Sequence, residues 1–223
     1  MFEYIGSHSL WLLLAFATAT TAVWLWLNRK RLRISPWAIL PLSLVHVAVG
    51  VACVKLFAIM EGAEPGAQSL FGAVFFMPLA YWLAARLFRR NVADVFDVLA
   101  VCMIFTLMCA RVNCLLSGCC VGRQISPDTA LRWPTREAEL VYYLVFLSLA
   151  IPRVLRGDSH GQIYPLYMIS YGIVRFVLEF FRVSATGTVF HLSHLWAILA
   201  LCLGFGFYVE TNRRLLSKTR KRA

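Results

Sequence analysis

The sequence predicts an all-α, polytopic integral membrane protein of about seven transmembrane helices, on three observations. Hydrophobic residues make up 60% of the 223-residue chain, mean hydropathy is +0.70 and only 15% of residues are charged, a balance outside the range of soluble domains. Apolar runs of the length that crosses a bilayer as one helix, roughly 20 residues, recur from end to end. The basic residues are gathered between those runs, which turns a formal net charge of +11 from a nucleic-acid signal into a topology signal. No nucleic-acid partner is expected. The length accommodates one membrane domain, residues 1–223, and little else.

The spans fall at roughly 8–27, 36–59, 69–88, 96–116, 138–152, 163–182 and 191–210. No basic region precedes the first, so it reads as an uncleaved span and not as a signal peptide. The second, third and fourth are continuous apolar runs. The fifth is short and the sixth carries charges, which leaves six spans with a re-entrant segment as the competing count. Most of the 22 basic residues lie in alternate connections: Arg29, Lys30, Arg31 and Arg33; Arg86, Arg89 and Arg90; Arg153 and Arg156; and Arg213, Arg214, Lys218, Arg220, Lys221 and Arg222. By the positive-inside rule the N-terminus is outside and the C-terminus cytoplasmic, and the connections 60–68, 117–137 and 183–190 face out. The tail TNRRLLSKTRKRA is a basic cytoplasmic anchor, residues 211–223, suited to anionic headgroups.

Within the sixth span, YGIVRFVLEFFR spaces Tyr171, Arg175, Glu179 and Arg182 at i, i+4, i+8 and i+11, one stripe of a helix. An ionised side chain at mid-membrane costs about 2.5–3.5 kcal/mol even on lenient scales, so such groups face a polar interior, pair, and mark function by default. A purely structural Arg175–Glu179 pair is the alternative. Because the fourth span also runs outward and ends near Arg111, the two features converge on one leaflet. Arg111, Arg175 and Arg182, with Arg123 nearby, make a cationic pocket suited to phosphate, which guanidinium groups hold through several hydrogen bonds. An anionic phospholipid headgroup is the natural ligand.

Of the seven cysteines, Cys53, Cys102 and Cys202 lie in apolar runs and read as small hydrophobes. Cys114, Cys119 and Cys120, in RVNCLLSGCCVGR, sit toward the outer face, where a disulfide from Cys114 to Cys119 or Cys120 is feasible and a thiol role stays open. The spacing is not C-x-x-C and the segment has no histidine, so no metal and no cofactor is expected. His191 and His194 stand at the outer start of the last span, within reach of the pocket, but a plain interfacial role suits them better.

The RVNCLLSGCCVGR stretch resembles the signature of the prolipoprotein diacylglyceryl transferase family, G-R-I-G-N-F-I-N-G-E-x-x-G-R, and is closer to members reading R-I-G-C-F-x-x-G-C-C-Y-G. Asp97 at the entry to the fourth span, Pro134, Thr135 and Glu139 in place of H-P-[ST]-Q-x-Y-E, and the late Y-G-x-x-R-F-x-x-E-F-x-R follow in the same order, over roughly residues 60–210. The resemblance implies a multi-pass enzyme of the bacterial inner membrane. It would move a diacylglyceryl group from phosphatidylglycerol to the cysteine thiol in the signal peptide of a lipoprotein precursor. Arg111 and Arg175 would hold the phosphate, Tyr171 and Glu179 orient substrate or Arg175, and Gly118 and Gly122 permit close backbone approach; Arg123, Glu139 and Arg182 complete the substrate-binding set. The chain departs from the pattern where Ala67 replaces the histidine of E-G-G-x-x-x-H-G-G, although Glu61 and Gly62 remain. Cys114 replaces the asparagine and Cys119 the glutamate of the first motif, and Trp133 and Arg136 replace the ends of H-P-S-Q. Transfer of a related lipid or phosphoglyceryl group to another acceptor, and non-catalytic phospholipid binding, are the other readings these departures suit.

Overall fold

The computed structural model describes residues 2–64, 67–126, 128–183 and 190–220, and every regular element among them is a helix. In chain order these are α1 (Phe2–Leu27), α2 (Arg29–Leu32), a 3-10 turn at Pro36–Ala38, α3 (Ile39–Met60), α4 (Phe71–Leu87), α5 (Val92–Ser117), α6 (Thr135–Arg156), α7 (Ile163–Glu179) and α8 (Leu192–Arg220). Most of the connection at 183–190, expected to face out, and, in the basic tail, Lys221 and Arg222 lie outside the described residues.

A helix thus stands at each of the seven expected places, but five of them hold stretches long and apolar enough to cross a membrane: Ser9–Leu27, Pro36–Met60, Val92–Ser117, Thr135–Arg156 and Leu192–Ser217. The expected count of seven is not met on that measure, because α4 and α7 have 17 residues each. In α7 Arg175 and Glu179 also interrupt the apolar run. The boundaries differ from the hydropathy pattern for local reasons. The fifth expected span extends to 22 residues, from Thr135 just after Pro134 to Arg156, where Gly157 takes a left-handed conformation and stops the helix. The sixth ends early at Glu179, since the following residues pair with another loop: Gly122 bridges Arg182 and the Arg123 amide donates to Phe181 O at 2.8 Å.

The helix order is held by apolar surface and small residues. With 56% of its apolar window buried, α5 is the central helix; it packs on α1, α4, α6 and α7, while α3 packs on α1 and α4. The tightest pair is α7 with α8. There Gly172 lies so close to Ala197 O, and Gly204 to Met168 Cβ, that a Cβ would approach them to 2.8 and 2.7 Å, the small-residue contact that lets apolar helices pack without a hydrophobic driving force. Large side chains turn outward around the bundle, including Trp11, Leu12, Phe16, Ile59, Leu79 and Leu149, as a hydrocarbon environment requires.

One end of the bundle gathers the basic connections. Arg31 bonds Asp94 (2.6 Å), Asp97 (3.3 Å), Val154 O (2.8 Å) and Ser159 Oγ (3.3 Å), drawing α2, α5, the end of α6 and the α6–α7 turn together. Arg29 lies 3.9 Å over the Trp26 ring and Arg86 5.5 Å over Trp82, and Trp37 is 91% exposed; amphipathic rings and cations of this kind belong at a membrane–water interface. Asn91 caps α5 by accepting from the Ala93 amide at 3.1 Å. α5 then runs to the opposite end, where the second set of buried charges lies.

Candidate active site

At that opposite end Arg111 of α5, Glu139 of α6 and Arg175 and Glu179 of α7 meet, all four buried. Glu139 lies between the two arginines, with Oε1 2.9 Å from Arg111 Nε and Oε2 3.4 Å from Arg175 Nη1. Glu179 lies 2.9 Å from Arg175 Nη2 and 3.6 Å from Arg182 Nη1. The Tyr143 hydroxyl donates to Glu139 at 2.9 Å, and Phe71 places its ring 5.6 Å from the Arg175 guanidinium. Removing charges from water costs several kcal/mol per ion unless they are paired, which explains the dense pairing. Three guanidinium groups against two carboxylates still leave one positive charge in excess within the cluster.

The pairing is close but incomplete in hydrogen bonds. Arg111 Nε, Arg175 Nε, Glu179 Oε2 and the Tyr171 hydroxyl are buried without a hydrogen-bond partner, although the nitrogen–oxygen contacts of Arg111 and Glu179 are short. Those N–H groups are not aimed at the carboxylates. A cavity of ≈ 500 Å³ adjoins them, lined by Arg111, Tyr171, Arg175, Glu179 and Arg182, by Asn113, Cys114, Cys119 and Cys120, and on another wall by Glu61 and Ala67. A second, more apolar cavity of ≈ 710 Å³ runs along α1, α3 and α5, and the two share Gln68, Leu70, Ala110 and Asn113 in their walls. A polar chamber that continues into an apolar groove fits an amphiphile.

The expected site residues are placed unequally. Arg111, Tyr171, Arg175, Glu179, Arg182, Cys114, Cys119 and Cys120 come together on the chamber, and Glu139 stands behind it as the shared partner of both buried arginines. Arg123 does not join them: its guanidinium sits 5.7 Å from the Phe181 ring, held outward by the bridge that ties its loop to the end of α7. The close approach expected at Gly122 is real, but it is to the chain itself, since a Cβ there would stand 2.1 Å from Trp133 O. Gly118 serves as the left-handed stop of α5 (φ 70°). Three sulfur atoms, of Cys114, Cys119 and Cys120, lie within 4.8 Å of one another, and none is in a disulfide. A hydrogen bond from the Cys114 thiol, with Arg182 and Arg111 nearby, holds the Cys120 thiol below the ordinary cysteine range.

His191 is the residue the sequence undervalued. Its Nε2 lies 2.9 Å from Glu179 Oε1, and its Nδ1 is buried without a partner. Hence Glu179 is gripped by Arg175, Arg182 and His191 at once. The available signal was the i, i+3 histidine pair at the head of the last span; its partner His194 is buried among Phe176, Phe180 and Phe190.

This geometry defines a multi-pass membrane protein with a buried arginine–carboxylate cluster opening on a polar cavity. Comparison with known proteins sharpens that class. Residues 52–210 match the family model for prolipoprotein diacylglyceryl transferase, and the chain belongs to that family. It is similar to phosphatidylglycerol–prolipoprotein diacylglyceryl transferases of Dehalococcoides mccartyi, at 26% identity over 201 residues (78% of this chain, 76% of the relative). Another strain's enzyme is 23% identical over 232 residues (91% and 88%). The enzyme of Campylobacter curvus is 32% identical over 161 residues (65% and 59%).

Proposed function

We propose that this protein transfers a diacylglyceryl group from phosphatidylglycerol to the cysteine thiol of a lipoprotein precursor in the bacterial inner membrane. In this reading all seven long helices span, the N-terminus lies outside, the C-terminus is cytoplasmic, and the arginine cluster stands at the outer leaflet. The observation that carries the reading is the meeting of Arg111 and Arg175, from two different helices, on one carboxylate beside one cavity.

The chemistry is displacement at the glyceryl carbon that bears the phosphate. The acceptor thiolate forms the C–S bond while the C–O bond breaks, and the electron pair leaves on glycerol phosphate. Donors fixed in advance where that charge appears lower the barrier. Arg111, Arg175 and Arg182 supply them, and Glu139 and Glu179 hold the guanidinium groups, with Tyr143 holding Glu139, so that little reorganisation is needed at the moment of reaction. The acyl chains would occupy the apolar groove that shares a wall with the chamber.

Expression of this chain in bacteria depleted of their own diacylglyceryl transferase tests the reading. Mature-size lipoprotein carrying labelled diacylglycerol is expected from the wild-type chain and not from Arg111→Ala or Arg175→Ala. Absence of any lipidation by a properly inserted wild-type chain would refute it. Ala67 on the chamber wall favours one other reading, phospholipid binding without turnover, which predicts retained phosphatidylglycerol in the purified protein and no product.

A further inference from the structure

We propose that Cys114, Cys119 and Cys120 form a three-thiolate zinc site whose fourth position opens into the arginine-lined chamber. The first support is distance. Their sulfur atoms lie within 4.8 Å of one another, and at a zinc–sulfur length of about 2.3 Å the ligands of a tetrahedral site stand about 3.8 Å apart. Small rotations at the side chains close the difference. Thiolates are soft ligands that select zinc, copper(I) or iron–sulfur centres over hard cations.

The second support is how the chain reaches this arrangement. Gly118 and Cys120 both adopt left-handed backbone conformations, with φ of 70° and 56°. Such a φ is uncommon outside glycine and persists where the surroundings enforce it. The two turns fold residues 118–120 back on the end of α5, so a residue six positions after Cys114 brings its sulfur beside it. Arg136 Nη1 then donates to Cys114 O at 3.3 Å and to Cys119 O at 3.2 Å, pinning both arms of the turn. Contacts of this outer kind orient metal ligands.

The third support is position. All three cysteines line the chamber with Arg111, Arg175 and Arg182, whose charges offset the net negative charge of a zinc ion on three thiolates. The departures from the family pattern also collect here: Cys114, Cys119 and Ala67 on the wall, Arg136 on the turn behind it.

The role of the metal rests on the transferase reading. An acceptor thiol binding at the fourth position loses its proton to water, and the zinc-held thiolate attacks the glyceryl carbon. The C–S bond forms, the C–O bond breaks, the phosphate takes the electron pair, and zinc keeps its oxidation state. A metal-bound thiolate is a nucleophile at neutral pH without a protein base, which suits a chamber that has Ala67 where the family pattern has histidine.

Metal analysis of the full chain, purified in detergent after growth with zinc chloride, tests the site without any activity assay. One zinc per chain is expected, falling about tenfold or more in each of Cys114→Ser, Cys119→Ser and Cys120→Ser but unchanged in Cys202→Ser. Cobalt-loaded protein should show thiolate charge-transfer absorption, and zinc should shield three thiols from alkylation until a chelator is added; these readings apply to wild-type protein and so do not depend on the variants folding. A wild type that stays metal-free after growth with zinc chloride, with the three thiols freely alkylated or two of them joined as a disulfide, would overturn the proposal. Zinc binding without lipid transfer leaves the site standing and removes the transferase reading. Transfer that survives in metal-free protein and in Cys114→Ser leaves the transferase reading standing and overturns the role given to the metal.

Discussion

Arg31 and Arg111 stand at opposite ends of the bundle, each within a knot of carboxylates, and differ in how fully their surroundings are hydrogen-bonded. Around Arg31 the network closes. Asp97, fully buried, accepts from the Gly161 amide at 2.7 Å and from the Ile163 amide at 3.1 Å besides its arginine, and Arg31 also meets Asp94, a backbone carbonyl and a serine. Around Arg111 the charges are just as close, yet Arg111 Nε, Arg175 Nε, Glu179 Oε2 and Tyr171 Oη have no hydrogen-bond partner. Since the great majority of buried polar groups in proteins are satisfied, several unsatisfied ones around one cavity agree with the polar ligand proposed there. Buried charge is common to both ends; the completeness of its hydrogen bonds is where they differ.

The sharpest way to break this comparison is to keep the charge and remove the fork. Arg175→Lys should lower the lipid-transfer rate by about two orders of magnitude, the scale of losing one positioned donor in a transition state, with little change in yield or thermal midpoint. The converse at the other end is Arg31→Ala, expected to destabilise by about 3 kcal/mol as Asp97 loses its counter-ion, while the rate per folded molecule stays within about twofold. Thermal unfolding in detergent and single-turnover transfer, run on both variants, separate the two ends. Equal loss of rate in both would erase the distinction. Tyr143→Phe removes one hydroxyl from Glu139, worth about 1 kcal/mol, and should slow transfer about fivefold. Arg123→Ala, which removes only an exposed ring contact, should change the rate by less than about twofold.

Much of this was legible in the sequence because the relevant physics is local. Runs of apolar residues located every long helix, and the i, i+4, i+8 spacing of Tyr171, Arg175 and Glu179 put them on one stripe before any fold was known. Helix ends were read less well, since Gly157 stops α6 by its conformation and the end of α7 is set by pairing with the loop at Gly122. The closeness of the three sulfur atoms was hidden for a related reason: C-x4-C-C looks unsuited to one cluster until Gly118 and Cys120 turn left-handed. Arg123 was grouped with the cationic pocket because it is near in sequence, but the Phe181 ring and the Gly122–Arg182 bridge carry it outward. The hold of His191 on Glu179 crosses 12 residues, beyond any spacing rule.

The wall shared by the polar chamber and the apolar groove, at Gln68, Leu70, Ala110 and Asn113, has a kinetic meaning in the proposed reaction. A donor lipid enters sideways, its tails never leaving hydrocarbon, so desolvation is confined to its head. Turnover then follows the donor's mole fraction in the two-dimensional leaflet instead of its bulk molarity, and diluting it with neutral lipid should slow the enzyme at constant total lipid.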